Sequence, residues 1–197
     1  MCHNTDRSVG DCDWKQACKS GTTAFYEIDW SRSKHNFISD FDEVCTSTFW
    51  IDFQGTTYFI GFMIGSIIWL RLTDLYGRKK FIVAGHAAHV LFNILLLTLR
   101  NEVNLFVFLF IFGIQIAMTA HCAYLLLLEL VSARHRPFFS AAVNIMDGSA
   151  NIWLPFYFKY VNSWEYLYIA NTVESFALMI LIYFLVTESP RFLTTVR

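Results

Sequence analysis

The chain has 197 residues, of which 55% are hydrophobic, 18% aromatic and only 16% charged, and its mean hydropathy is +0.42. A soluble domain carries about 25% charged residues, so this composition predicts a protein whose main partner is the lipid bilayer. The formal net charge of −1 gives no indication of a nucleic-acid partner.

Residues 1–51 are polar and are predicted to form a separate region ahead of the membrane-spanning part. They hold four of the five cysteines, namely Cys2, Cys12, Cys18 and Cys45. If this region lies outside the cytoplasm, the four cysteines form two disulfides, for which three pairings are open. Free thiols or a zinc site are the alternatives, although CxxC spacing and paired histidines are missing.

Five long apolar stretches follow, and each predicts a transmembrane helix. They cover residues 53–72, 81–99, 105–128, 138–160 and 165–186. Each is close to the ~20 residues that cross a hydrocarbon core of ~30 Å, and a helix satisfies its own backbone hydrogen bonds within lipid. We therefore expect an all-α integral membrane protein, with a transmembrane bundle over residues 52–187 and a short tail over residues 188–197.

Lysine and arginine are concentrated in alternate loops, which predicts the orientation of the chain. They follow the first, third and fifth stretches: Arg71, Arg78, Lys79, Lys80, Arg134, Arg136, Arg191 and Arg197. Because positively charged loops stay in the cytoplasm, we expect the N-terminus outside and the C-terminus inside. The segment that starts at Met1 has no apolar signal sequence. Either the first span carries it across or an upstream helix is absent from this chain, and we favour the latter.

Four short motifs that contain charged residues lie at the ends of the apolar stretches. They are TDLYGRKK at residues 73–80, FISDFDEVC ending at Cys45, LLELVSARHR with Glu129 and Arg136, and ESPRFL at residues 188–193. The first motif matches the pattern G-x-x-x-D-R-x-G-R-K/R through Asp74, Gly77, Arg78 and Lys79. Together, the motifs resemble those of the organic ion transporters, the cation, anion and carnitine carriers of the major facilitator superfamily.

The resemblance covers nearly the whole chain and implies helices 2 to 6 of the N-terminal half of such a carrier. It implies transport of a small organic ion across the plasma membrane by alternating access, with a second half-transporter or another membrane subunit completing the site. The chain would then be a fragment of a carrier, a half-size carrier that dimerises, or a non-transporting subunit that kept the fold. Four residues depart from the family pattern: Leu70, Leu75, Leu109 and Thr187.

The resemblance also implies that charged residues near the inner helix ends form a cytoplasmic latch. The latch residues are Asp74, Gly77, Arg78, Lys79, Glu129, Arg136, Glu188 and Arg191. Opposite charges pair in a partly desolvated layer, and arginine binds carboxylate in a bidentate fork. The plainer alternative is that Arg78, Lys79 and Lys80 only anchor the chain at the lipid headgroups.

Three polar residues of the fourth stretch are the main candidates for a substrate site. Asn144, Asp147 and Asn151 lie at i, i+3 and i+7, and therefore share one helix face. The family helix that they match lines the transport pathway. An intramembrane carboxylate costs about 2.5–3.5 kcal/mol on insertion scales and is a functional hypothesis by default. Asp147 would attract a cationic substrate, or alternatively would pair with Lys159 or a polar neighbour and only pack.

Two further polar stripes lie in the apolar stretches: His86, His89 and Asn93 on the second, and Gln115 and Thr119 on the third. For the first stripe, hydrogen bonding between helices is favoured over ligand binding. For Gln115 and Thr119, a cavity-facing role makes them additional substrate-site candidates. Glu174 in the last stretch would meet one of the histidines or be protonated and structural.

The motifs of common enzyme sites are missing from the sequence. It contains no G-x-x-x-x-G-K, no H-E-x-x-H and no G-x-S-x-G. We therefore expect a transport protein without a catalytic site, a metal or a cofactor.

Overall fold

The structure is a computed structural model, and it describes residues 2–3, 9–10, 18, 25–26, 37–41, 43–99, 102–161 and 163–188. Three two-residue strands lie in the N-terminal region: β1 (Cys2–His3), β2 (Val9–Gly10) and β3 (Phe25–Tyr26). They form an antiparallel sheet in the order β2–β1–β3, in which Cys2 is opposite Gly10 on one side and Tyr26 on the other. The sequence analysis did not predict these strands.

The rest of the described chain is helical. The helices are α1 (Phe37–Asp40), a 3-10 helix (Glu43–Cys45), α2 (Thr48–Tyr76), α3 (Arg78–Thr98), α4 (Glu102–Leu130), α5 (Arg136–Tyr160) and α6 (Glu165–Leu185). The expected all-α membrane protein is thereby confirmed. Helices α2 and α4 each have 29 residues, or about 43 Å at 1.5 Å per residue, so both exceed the thickness of a hydrocarbon core.

Within the described ranges, four of the five long helices are long and apolar enough to cross a membrane. These are α2, α3, α6 and the part of α4 from Leu105 to Leu130. Helix α5 has 25 residues and matches the fourth predicted span in position. Its polar residues Asn144, Asp147 and Asn151, together with Lys159, make it less apolar than the other four helices.

Glycine lets α2 and α4 pack with their backbones in contact. A Cβ atom added at Gly61 would collide with the carbonyl oxygen of Phe110, and one added at Gly113 would collide with that of Tyr58. At Gly65 the added atom would lie 2.8 Å from the Ile114 carbonyl oxygen. Small residues that permit such close approach are the usual basis of helix packing in membranes. The α2–α4 contact is therefore set by three glycines.

Two apolar clusters lie at opposite ends of the bundle. The first, at what we call the disulfide end, joins the buried residues Phe41, Leu96, Leu105 and Trp164. The second, at what we call the charged end, joins Ile82, Met118, Cys122 and Leu126. Helices α3, α4 and α6 contribute to packing at both ends, so they form the centre of the bundle, with α2 on the far side of α4.

Helix α5 packs far less closely than the others. None of its residues is buried, and its main neighbour is α4. One hydrogen bond ties them, between the Tyr124 hydroxyl and Ser140 Oγ at 2.6 Å. Helix α5 therefore presents most of its surface away from the rest of the described chain.

Candidate functional site

Arg78 joins two helices at the charged end. Its Nη2 atom lies 3.0 Å from Asp74 Oδ1, one turn earlier in the chain, and 3.0 Å from Glu129 Oε1 at the end of α4. The Arg78 side chain is only 7% exposed, compared with 18% for Glu129 and 65% for Asp74. The Glu129 pair is therefore shielded from solvent, whereas Asp74 sits at the edge.

The second terminal nitrogen of Arg78 is also buried. Among the described residues, Nη1 has no hydrogen-bond partner. A guanidinium offers five N–H donors in a planar fork, so the donors on Nη1 stay unused in this arrangement. This spare donor is what a residue that exchanges partners between two conformations would need.

Glu188 completes the turn between α2 and α3. Its Oε1 atom accepts a hydrogen bond of 3.0 Å from the backbone N–H of Lys79, in the first turn of α3. A carboxylate at this position complements the positive end of the helix dipole. Gly77 adopts φ +95°, and a Cβ atom there would lie 3.1 Å from the Glu188 carboxylate. The turn thus needs glycine both for its backbone and for its contact with Glu188.

The remaining predicted latch residues are distributed differently. Arg136 is exposed, its Nε donates to the Val131 carbonyl oxygen at 3.4 Å, and it joins no ion pair in the described part of the chain. The Lys79 ammonium lies 5.7 Å from the centre of the Tyr183 ring on α6. Arg191 lies outside the described residues. The structure therefore brings Asp74, Gly77, Arg78, Lys79, Glu129 and Glu188 together, and leaves Arg136 apart.

The polar stripe of α5 is exposed along its length. Asn144 Nδ2 donates to the Ser140 carbonyl oxygen at 2.8 Å, and Asn151 Nδ2 to that of Gly148 at 3.5 Å. Asp147 lies exposed between them. It forms no ion pair with Lys159, whose ammonium instead lies 5.7 Å from the centre of the Tyr160 ring. The part of the alternative that pairs Asp147 with Lys159 is therefore absent from the described residues.

An apolar groove of about 630 Å³ runs beside this stripe, along the C-terminal half of α5. Its lining residues include Trp153, Leu154, Tyr157 and Tyr160 of α5 and Leu167 of α6. Leu154 follows Asp147 by seven residues, two helical turns, and so lies on the same face as the polar stripe. One lining residue, Leu154, therefore shares the face of the stripe, but Asn144, Asp147 and Asn151 do not line the groove.

Gln115 and Thr119 lie elsewhere. Gln115 is only 4% exposed, and its Nε2 donates to the Gly85 carbonyl oxygen at 2.7 Å and to Thr119 Oγ1 at 3.1 Å. These bonds place both residues in the contact between α3 and α4. The structure does not bring them together with Asn144, Asp147 and Asn151, because α4 turns this face toward α3 rather than toward α5.

His89 forms the bonds between helices that the sequence analysis favoured. Its Nδ1 atom lies 3.4 Å from Gln115 Oε1, and its Nε2 atom 3.1 Å from Asn171 Oδ1 on α6. Asn93, one turn further along α3, is 1% exposed. His89 therefore links three helices near the middle of the bundle.

At the disulfide end, Cys18 and Cys45 form a disulfide bond. Of the three open pairings, only the one that joins Cys18 to Cys45 and Cys2 to Cys12 contains this bond. The side chains of Cys2 and Cys12 lie outside the described residues, and their pairing stays a prediction. Among the described residues, no group of three or more His, Cys, Asp and Glu side chains could hold a metal ion.

Sequence reasoning missed a polar cluster beside this disulfide. Trp164 Nε1 donates to Asp40 Oδ2 at 2.8 Å, and the buried Glu43 carboxylate accepts a hydrogen bond from Gln54 Nε2. These bonds tie the N-terminal region to α2 and to the start of α6. The signal in the sequence was weak, since a tryptophan after an apolar stretch and a glutamine near the start of another are common.

Comparison with known proteins supports the resemblance seen in the motifs. Residues 39–195 match the family model described as Major Facilitator Superfamily. The chain is 26% identical over 199 residues to "Organic cation/carnitine transporter 5" of Arabidopsis thaliana, an alignment that covers 97% of this chain and 38% of the relative. It is 27% identical over 173 residues to "Organic cation transporter-like protein" of Drosophila melanogaster, covering 87% of this chain and 30% of the relative.

A relative from Caenorhabditis elegans, "Organic cation transporter 1", is 23% identical over 189 residues, covering 91% of this chain and 30% of the relative. The chain thus spans about a third of the length of these relatives. All three bear the names of transporters, so the alternative of a non-transporting subunit gains no support from them.

Proposed function

Because the chain belongs to the Major Facilitator Superfamily, we propose that it forms part of a carrier that moves small organic ions across a membrane by alternating access. The observation that carries this proposal is the exposed face of α5. There, the exposed carboxylate of Asp147 lies on the same helix as an apolar groove lined by Trp153, Tyr157 and Tyr160, which begins three residues further along. An organic cation combines a positive charge with an apolar body, and this face offers a partner for each.

The chemistry of the α5 face favours a cation over an anion. Asp147 is a carboxylate placed within a membrane-length helix, where a charge is costly unless a partner compensates it. Neither Lys159 nor another described cation forms an ion pair with Asp147. A bound cation would supply that compensation. Trp153 and Tyr157 lie six and ten residues beyond Asp147, about 9 and 15 Å along the helix, so their rings would contact the apolar body of the substrate.

The charged end would act as the latch of this carrier. Arg78 ties α3 to α4 through Glu129, while Glu188, which follows α6, binds the first turn of α3. Separating α4 from α3 would require breaking the Arg78–Glu129 pair. The spare Nη1 donor of Arg78 then favours a second arrangement with a different acceptor. A latch of this kind would give the two conformations of an alternating-access cycle.

Orientation and assembly complete the proposal. The positively charged loops favour a cytoplasmic charged end and an outer disulfide end, where an oxidising environment would maintain the Cys18–Cys45 bond. We place the protein in the plasma membrane. The α5 face lacks an opposing wall among the described residues, so a second half-transporter or another membrane subunit would enclose the substrate.

The test is uptake of a labelled quaternary ammonium compound by cells that express the protein. We expect Asp147→Asn to reduce uptake at least roughly tenfold, the equivalent of about 1.4 kcal/mol of lost binding. Lys159→Gln is the matched control, since it also removes an exposed charge from α5, and it should retain uptake. If Asp147→Asn and Lys159→Gln transport equally well, the α5 face does not bind the substrate.

A further inference from the structure

A small cavity lies between α3, α4 and α6, and the proposed transport function does not use it. Its volume is about 30 Å³, which exceeds the ~10–15 Å³ that a single water molecule needs. Six of the eight residues that line it are leucines or phenylalanines of α3 and α4. The other two are Asn93 of α3 and Tyr168 of α6. Two polar side chains on different helices therefore border the same space.

Asn93 carries a hydrogen-bond donor that is buried and unpaired. The residue is 1% exposed, and among the described residues its Nδ2 atom has no hydrogen-bond partner. An amide N–H that is buried without an acceptor costs its full desolvation penalty, so buried polar groups in native proteins are almost always paired. The structure therefore combines a donor that needs an acceptor with a cavity that can hold one.

The neighbouring polar groups of this helix contact find their partners within the protein. Gln115 is 4% exposed, and its Nε2 donates to the Gly85 carbonyl oxygen at 2.7 Å and to Thr119 Oγ1 at 3.1 Å. His89, one turn before Asn93, has an amide oxygen within 3.4 Å of each ring nitrogen. The unpaired donor therefore occurs where the contact leaves a cavity, and not along the whole of it.

Tyr168 offers a second partner from α6. A tyrosine hydroxyl donates one hydrogen bond and also accepts, so it can accept one from a molecule in the cavity in addition to any other contact that it makes. The Tyr168 ring packs against Trp164, with 5.3 Å between the ring centres. A buried water molecule needs at least two polar partners, and Asn93 and Tyr168 make two.

These two side chains favour water over other occupants. Cavities that stay dry are lined by apolar groups alone, whereas this one is bordered by an amide and a hydroxyl. An ion would need a charge to balance it, and no lining residue is Asp, Glu, Lys or Arg. Water both donates and accepts, so it satisfies the Asn93 amide whichever way the amide is turned.

We propose that this cavity binds one water molecule, which accepts a hydrogen bond from Asn93 Nδ2 and donates one to the Tyr168 hydroxyl oxygen. The water bridges α3 and α6. One turn away, His89 joins the same two helices directly, through Asn171 at 3.1 Å. Two successive turns of α3 are then bonded to α6, one through protein atoms and one through water.

The experiment is solid-state NMR of the full chain in lipid bilayers, with 15N-labelled asparagine and glutamine. It measures the transfer of magnetisation from water to the side-chain NH2 groups. The signals of Asn93 and Gln115 are identified by their loss in Asn93→Leu and Gln115→Leu. We expect transfer to Asn93 to be several-fold faster than transfer to Gln115.

Gln115 is the internal control for this measurement. It is as deeply buried as Asn93 and bonds to the Thr119 hydroxyl, whose proton also exchanges with water. Transfer that passed through a neighbouring hydroxyl would therefore appear at both amides. Equal rates at Asn93 and Gln115 would overturn the proposal.

Filling the cavity should expel the water. Leu109 lines the cavity, and Leu109→Phe should reduce transfer at Asn93 to the rate at Gln115. Leu91→Phe is the matched control, since Leu91 is an exposed residue of α3 that does not line the cavity, and it should leave the transfer unchanged. Fast transfer that persists in Leu109→Phe contradicts the proposal. If that variant does not fold, the comparison of Asn93 with Gln115 in the unmodified chain decides.

A double-mutant cycle tests the bridge itself. Asn93→Leu and Tyr168→Phe each remove one of the two partners, so the second substitution has no bridge left to break. The shift of the unfolding midpoint in the double variant should therefore differ from the sum of the two single shifts. Additive shifts would show that no water joins Asn93 to Tyr168.

Discussion

Arg78 is the residue on which the charged end depends. It lies within one turn of Asp74 and across a helix contact from Glu129, and its side chain is almost fully buried. The two carboxylates are not equivalent. Asp74 is mostly exposed, so its pair with Arg78 contributes about 0–1 kcal/mol. Glu129 is mostly shielded, so the loss of Arg78 would remove a charged partner from a largely buried carboxylate.

This difference gives a prediction for stability. Arg78→Met should lower the free energy of unfolding by about 2–3 kcal/mol, because the largely buried Glu129 loses a charged hydrogen-bond partner. The measurement is thermal or denaturant unfolding in mild detergent, followed by circular dichroism. Lys79→Met, the neighbouring cation, is the control and should cost less than about 1 kcal/mol, since its ammonium only lies over the Tyr183 ring. Equal losses in the two variants would show that Arg78 has no special role.

At the scale of the helices, the closest packing is between α2 and α4, where Gly61 and Gly113 each lie against the backbone of the other helix. A backbone carbonyl cannot turn aside as a flexible side chain can, so a Cβ atom there forces the helices apart. The separation would spread along both helices, because each is a rigid element that the other contacts over much of its length.

Gly61→Ala should therefore destabilise the protein by about 1–3 kcal/mol. Gly55→Ala is the matched control on the same helix, since a Cβ atom at Gly55 would have nothing within 4 Å. There, the substitution should be neutral or should stabilise by up to about 1 kcal/mol. Unfolding in detergent measures both. A Gly61→Ala variant as stable as Gly55→Ala would contradict the close packing of α2 and α4.

The long helices could be predicted from the sequence because lipid leaves the backbone few alternatives, so an apolar stretch of sufficient length specifies a helix. The charges of Asp74 and Arg78 could be assigned to one cluster too, because only the short turn at Gly77 separates the end of α2 from the start of α3. Which faces meet could not be predicted. Gln115 was assigned to a cavity from its polarity, but polarity alone does not distinguish a cavity from a contact with the Gly85 carbonyl.

Contacts between residues far apart in the sequence could not be predicted either. Glu188 bonds to the Lys79 backbone from 109 residues away, and Trp164 bonds to Asp40 from 124 residues away. Such partners depend on how the helices are ordered in space, which the length and polarity of each stretch do not specify. The small N-terminal sheet was missed because strands of two residues carry no readable alternation.

At the scale of the whole molecule, the two ends differ in what holds them together. The charged end relies on ion pairs, which can exchange partners. The disulfide end relies on a covalent bond between Cys18 and Cys45, with Trp164 and Phe41 packed in the same region. A carrier that opens at the charged end while the disulfide end stays closed would need exchangeable ion pairs at the first and a permanent bond at the second.

Removal of the disulfide should therefore affect stability more than function at the charged end. Cys18→Ser together with Cys45→Ser should lower the free energy of unfolding by about 2–4 kcal/mol, as is usual for a bond that closes a loop of this size. The unmodified chain under reducing conditions should show a similar loss, and it serves as the comparison. Unfolding that is the same with and without reductant would contradict a structural role for this bond.

The central claim is that the polar stripe of α5 faces a water-filled pathway for organic cations. Its most direct test is the reaction of Asn144→Cys and Asn151→Cys with a membrane-impermeant thiol reagent, in a chain that carries Cys122→Ser. The control positions are Ile145 and Ile152, which follow Asn144 and Asn151 by one residue and so lie about 100° further round α5, off the polar stripe. We predict that the two stripe cysteines react, that a quaternary ammonium compound slows their reaction, and that Ile145→Cys and Ile152→Cys stay unreactive. Reaction at the isoleucine positions instead, or no protection by the cation, would contradict the account.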